Sequence, residues 1–173
     1  MSLKIIHTAD WHLGQTFFGY DRDEEHEAFL SWLIDILTLR QTDVLLIAGD
    51  VFDVANPSAA AQRRFFRFLR EANRRNPQLQ IVIIAGNHDS AARLEAPIPL
   101  LEELNTSIVG AVPRTDLCKI DFDSLLIPLY NKEGKPGSDL SGCSLSSSGR
   151  LSRFERRERY LCGGRYPNVS PAL

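Results

Sequence analysis

Five residues carry donor groups at spacings that could do chemistry: Asp10 and His12, then Asp50, then Asn87 and His88. They offer carboxylate, imidazole and carboxamide atoms, a hard set with no sulfur. Such a set suits manganese, iron or zinc rather than a soft metal. Two divalent ions a few ångströms apart can activate a water and stabilise the leaving oxygen of a phosphoester. Such a pair needs a bridging carboxylate, and Asp50 is the candidate. Asp10 and His12 are expected to hold one ion, and Asn87 to help hold the other without adding charge. His88 is adjacent to Asn87 and so is expected to point elsewhere, toward substrate, where an imidazole protonates a leaving group or stabilises charge on phosphorus. Asp53 and Asp89 are expected to orient these residues from behind.

Three short apolar runs must position them. Lys4–Ala9 leads into Asp10, Val44–Ala48 into Gly49-Asp50, and Gln80–Ala85 into Gly86-Asn87-His88. Each is short and rich in β-branched residues, the pattern of a buried strand. Parallel pairing would bring all three exits to one sheet edge, where open α/β sheets bind ligands. Asp10 and His12 are two apart, so an extended chain would send both side chains to one face.

Between these runs the periodicity turns helical. Residues 21–40 carry acids in the first turns and an apolar stripe of Phe29, Leu30, Leu33, Ile34 and Leu37, as a core-facing helix requires. His26 is expected on its surface. Asn56 and Pro57 predict the cap and first position of a second helix reaching Asn73. Its arginines, Arg63, Arg64, Arg67, Arg70, Arg74 and Arg75, read as a solvated basic face. Residues 90–104 predict an irregular helix around Pro97 and Pro99. Residues 117–122 and 125–129 read as a hairpin turning at Asp123-Ser124. The strand–helix alternation gives an α/β fold, parallel near the site and antiparallel later.

The 173 residues fit one domain with a real core. A net charge of −2 announces no basic nucleic-acid surface. No apolar run is long enough to span a bilayer, and the N-terminus lacks a signal-peptide core. Cys118, Cys143 and Cys162 are odd in number and widely spaced, as for reduced thiols in a cytoplasmic protein. No GxxxxGK[ST] or GxSxG pattern supports an NTPase or a serine hydrolase.

The wording Asp10-Trp11-His12, Gly49-Asp50-Val51-Phe52-Asp53 and Gly86-Asn87-His88-Asp89 resembles the calcineurin-like metallophosphoesterase pattern of DxH, GDxxD and GNHD. Within it, His7–Gly14 and the two later segments look most like the SbcD family of bacterial exonuclease subunits. The resemblance covers about residues 3–130. It implies a β-sandwich flanked by helices (α-β-β-α). It also implies two divalent metal ions, manganese first among them, and phosphodiester hydrolysis on DNA ends and hairpins in DNA repair. The partner implied is an SbcC-like SMC-family ATPase subunit. Asp10, His12 and Asp50 would take one metal, Asp50 and Asn87 the other, and His88 would be the catalytic histidine.

The family's later ligands are histidines, including a GHxH pair, and this sequence has no histidine after His88. The second sheet is expected to be incomplete, the ATPase-docking region missing, and the chain alone nearly inactive. Residues 131–173 change to a Ser/Gly/Arg-rich tail, expected to be disordered because it cannot bury enough apolar surface. A premature end after a reading-frame change would produce such a tail, and a natural short paralogue is the alternative origin. The alternatives are a small-molecule phosphoesterase and a non-catalytic degenerate scaffold.

Overall fold

A computed structural model describes residues 3–101, 104–112 and 125–141. In chain order the elements are β1 (Ile5–Ala9), β2 (Thr16–Phe17), β3 (Tyr20–Asp21), α1 (Asp23–Arg40), β4 (Val44–Gly49) and α2 (Ala59–Arg75). There follow β5 (Gln80–Ala85), α3 (Ala91–Glu95), α4 (Ile98–Leu101), β6 (Thr106–Val109), β7 (Leu126–Tyr130) and β8 (Pro136–Ser141). Strands β1, β4, β5 and β6 form a wholly parallel sheet in the order β1-β4-β5-β6.

The period of two along the central strands sorts their side chains onto two faces. Leu45, Ile47, Ile81 and Ile83 point to one face. There they pack against Leu33 and Leu37 of α1 and Phe65, Phe68 and Leu69 of α2. Val44 and Val82 point to the other face and meet Leu125, Ile127 and Leu129 around the antiparallel β7–β8 hairpin. This is why β4 and β5 read as continuous apolar runs: both of their faces are covered. The layers are helices, a parallel sheet and a second β-layer, which among the described residues is the two-stranded β7–β8.

Buried polar side chains stitch the second layer to the first. Gln80 on β5 donates to the Pro128 carbonyl at 2.9 Å and accepts from the Tyr130 amide at 3.1 Å. Asp43, just before β4, accepts from the amides of Lys4 at 2.7 Å and Lys132 at 3.1 Å. A buried carboxylate and amide are tolerated here because backbone groups of both layers satisfy them.

The structure departs from several expectations. Helix α2 is capped by Ser58, whose hydroxyl accepts from the Ala61 amide at 3.1 Å, so Asn56 and Pro57 lie before the cap. His26 is buried at 5 % exposure. It sits one turn before Leu30 on α1, so helical geometry carries it to the core side. Arg64 is also buried and bonds Asp23 at 2.6 Å and Glu27 at 3.2 Å. Arg67 pairs with Glu27, Arg74 with Glu71 and Arg75 with Asp35. Four of the six arginines are therefore tied to acids, three of them as links between α1 and α2, rather than forming an open basic face. The helix expected over 90–104 breaks into α3 and α4 around Ala96 and Pro97. Strand β7 pairs with β8, so regular structure continues to Ser141, past the expected boundary at 130. The expected partner strand over 117–122 and residues 142–173 lie outside the described residues.

Candidate metal centre

Register brings the strand exits together. Ala9 pairs with Ala48, and Gly49 with Ala85, so β1, β4 and β5 finish side by side. The chain beyond each end is held to its neighbour. The Asp10 amide donates to the Ala48 carbonyl, and the His12 amide to the Asp50 carbonyl. Asp10 and His12 are not extended: both have positive φ, 51° and 48°. Such conformations are sparsely populated for non-glycine residues and gather at functional sites. The two side chains thus converge by a left-handed turn, not by strand alternation.

Two glycines make room for the carboxylates. Gly49 has φ +83°, and a Cβ there would land on the Asp10 carboxylate. A Cβ on Gly86 would fall onto the Asp50 carboxylate and within 2.5 Å of the Asp50 nitrogen. Gly49 is required because it holds a left-handed φ against the Asp10 carboxylate, and Gly86 because the Asp50 and Gly49 backbone approaches so closely.

Donor atoms of Asp10, His12 and Asp50 lie within 4.8 Å of one another. His12 Nε2 is 3.8 Å from Asp50 Oδ2. The Asp50 amide donates to Asp10 Oδ1 at 3.2 Å, and the His88 amide donates to Asp50 Oδ1 at 2.8 Å. Asp50 is 7 % exposed and sits between the other two exits, as a bridging ligand must. Asn87 is exposed on the turn between Gly86 and His88, on the same edge. His88 Nδ1 lies 2.8 Å from the Asp53 carbonyl. That bond, followed by the Asp50 charge, raises the imidazole above its ordinary value and favours the protonated ring.

Asp89 is the hidden organiser. It is 4 % exposed, and its carboxylate accepts from the amides of Val51 and Phe52, both at 2.9 Å, and of Gly86 at 3.2 Å. It therefore clamps the turn after β4 to the turn after β5. Burial raises its carboxyl, and the three backbone donors oppose that. Trp11 does similar work for the turn after β1. It is buried, donates to Thr8 Oγ1 at 3.0 Å and meets Phe29, Phe65 and Phe68 edge-on.

This edge suits a cation. Asp10, Asp50, Asp53 and Asp89 gather there, and among the described residues no lysine or arginine forms an ion pair with them. Buried charges are paired or coordinate metals, and here oxygen and imidazole donors face a common point. Sequence reasoning missed two participants: Gln15, whose amide donates to Asp53 Oδ1 at 3.2 Å, and the Asp53 carbonyl that holds His88. Backbone carbonyls leave no trace in residue types, and Gln15 lies in a loop without periodicity.

A family model described as calcineurin-like phosphoesterase matches residues 3–151. The chain belongs to the calcineurin-like phosphoesterase family. Among curated relatives it is 50% identical over 133 residues to the SbcD subunit of the SbcCD nuclease from Rhodobacter capsulatus, covering 77% of this chain and 33% of that protein. The protein of the same name from Escherichia coli K12 is 38% identical, covering 69% of this chain and 33% of the relative. The one from Bacillus subtilis is 40% identical, covering 70% and 31%. The chain thus spans about a third of the length of these relatives. Among the described residues, no helix is long and apolar enough to cross a membrane.

Proposed function

We propose that this chain supplies the first part of a two-metal DNA phosphodiesterase centre of the SbcD type, using manganese in DNA end and hairpin processing together with an SbcC-like ATPase subunit. The observation that carries the reading is the convergence of Asp10, His12 and Asp50 beside a histidine whose Nδ1 is already engaged. Asp10, His12 and Asp50 would hold one ion, and Asp50 with Asn87 the other. Bound there, two divalent ions would supply an activated water and charge stabilisation at phosphorus.

The chain's own groups do the rest. The Asp53 carbonyl can only accept, so it fixes the proton of His88 on Nδ1 and turns Nε2 outward. In its protonated form, which the Asp53 carbonyl and the Asp50 charge favour, the ring can give the Nε2 proton to the departing oxygen of a phosphodiester, or stabilise the added negative charge. Asp89 holds the Asp50 and His88 turns in mutual register through backbone donors from both.

With no histidine after His88, these residues offer the second ion only Asp50 and Asn87. That observation favours a second reading, a degenerate scaffold without catalysis. Joining residues 1–130 to the remaining two-thirds of the Rhodobacter capsulatus relative separates them. The chimera is expected to cleave hairpin DNA with manganese, and to lose that activity on His88→Ala. The 173-residue chain alone is expected to be nearly inactive. A folded chimera that binds manganese but cleaves neither hairpin DNA nor DNA ends defeats the nuclease reading. Cleavage of small phosphomonoesters instead would support a small-molecule phosphoesterase.

A further inference from the structure

We infer that the β2–β3 hairpin is a stacking platform for unpaired nucleobases of a DNA strand whose neighbouring phosphate lies at the metal edge. Phe17, Phe18 and Tyr20 are 64 %, 87 % and 78 % exposed, three aromatics within four residues. The inference rests on the phosphodiesterase reading above for its substrate class, and adds residues that lie outside the donor set.

Three features set these rings apart from scattered surface aromatics. First, Phe18 is strained as well as exposed. The hairpin pairs Phe17 with Tyr20 and turns through Phe18 and Gly19, both with positive φ, 50° and 84°. Asn-Gly is the usual pair in such a type I′ turn. A bulky side chain there is an outlier, and outliers of this kind gather at ligand clamps. Burial does not explain it, since Phe18 is the most exposed large apolar side chain among the described residues. Second, the base of the hairpin is fixed. Gln15, before β2, donates to Asp53 Oδ1 at 3.2 Å. Arg22, after β3, donates to Gln15 Oε1 at 2.8 Å and to Glu25 Oε2 at 2.6 Å. Both legs are thus tied between the metal edge and α1, and a pre-ordered tip binds at a lower entropic cost. Third, Phe17 and Phe18 meet edge to face, with centroids 4.6 Å apart at 80°, and not in a stack that would occupy a face of each.

The tip is within nucleotide reach of the site. Phe18 is three residues beyond Gln15, which at ~3.3 Å per residue is about 10 Å. Three stacked nucleotides at ~3.4 Å each cover the same length. A strand with a phosphate at the metal edge therefore has its next bases within reach of the rings. Stacking on aromatic faces needs no strongly basic surface and tolerates any base, which accords with a net charge of −2. Paired bases keep their faces inside the duplex, so the platform favours hairpin loops and frayed ends.

The test mixes the 173-residue chain, in chelator at low salt, with a single-stranded oligonucleotide carrying 5-iododeoxyuridine, which photocrosslinks to an aromatic side chain stacked on it. Peptide mapping should place the adduct on Phe17, Phe18 or Tyr20, and a fully paired duplex of the same sequence should give far less of it. Adducts only elsewhere, or none, overturn the inference. Fluorescence anisotropy should show Phe18→Asn weakening single-strand binding roughly 5–100-fold, with the melting temperature unchanged or higher because asparagine tolerates the left-handed turn. Tyr20→Ala should weaken binding in the same direction. Parental binding by both variants overturns the inference, and a lowered melting temperature of the chimera carrying them would then assign the hairpin to an internal contact of a longer protein. The nuclease reading is judged apart, by hairpin cleavage in the chimera. Cleavage there with no adduct on the hairpin here removes only the platform, whereas an adduct here with no DNA cleavage there removes only the nuclease reading.

Discussion

Replacing Asp89 should reveal how much of the fold depends on one carboxylate. Its two oxygens accept three backbone N–H groups, from Val51, Phe52 and Gly86, at 2.9–3.2 Å in a site 4 % exposed. Asp89→Ala strands all three donors. Each buried, unpaired N–H costs about 1–3 kcal/mol. Water entering the vacated volume recovers part of this, so the expected loss is roughly 3–5 kcal/mol, a large share of the ~5–15 kcal/mol that holds a domain folded. For a chain of this size that lowers Tm by roughly 6–20 °C. Asp89→Asn is a finer probe. Its carbonyl oxygen can keep the Val51 and Gly86 donors, but its NH2 then faces the Phe52 N–H, donor against donor. The loss should be smaller, roughly 1–3 kcal/mol. Calorimetric or circular-dichroism melts in chelator isolate the effect from metal binding. If Asp89→Ala melts within about 2 °C of the parent, the clamp argument fails. If Asp89→Asn is as damaging as Asp89→Ala, the assignment of oxygens to donors is wrong.

Other outcomes follow from the same packing. Gly86→Ala places a methyl against the Asp50 carboxylate and within 2.7 Å of the Gly49 carbonyl carbon. It should cost about 1–3 kcal/mol of overpacking and weaken manganese binding, whereas a variant with parental metal affinity would show that the two turns are not in contact. His26 is buried, and burial, followed by the nearby Arg22 and Arg64 charges, lowers its pKa, with Asp23 and Glu25 opposing. Folding therefore favours the neutral ring, so the protein should lose stability as pH falls below about 6.5, where the unfolded histidine takes up a proton. His26→Leu should flatten that acid limb in urea melts between about pH 7 and pH 5, and an unchanged slope would place the titration elsewhere.

The donor-bearing edge was legible in the sequence because its parts are local. Strand patterns at residues 4–9, 44–48 and 80–85 each end in a donor, and the parallel β1-β4-β5 order gathers them. The second β-layer was half legible. The strand over 125–129 carries its own alternation, but its partner β8 is Pro136–Ser141, a polar run whose pairing no period announces. The fate of His26 and Arg64 was not legible, since an isolated helix does not say whether acids across the interface will pair with a charge. Asp23 and Glu27 of α1 do so for Arg64.

The sequence by itself determined which donors exist and that each follows a strand, because hydrophobic period and motif spacing are properties of neighbouring residues. Only the tertiary structure decided that Asp10 and His12 converge through left-handed turns, that Asp89 clamps two of the three exits, and that His88 leans on the Asp53 carbonyl. The clamp and the histidine contact reach across 35 to 38 positions of the chain through backbone atoms, and backbone atoms are the same whatever the sequence.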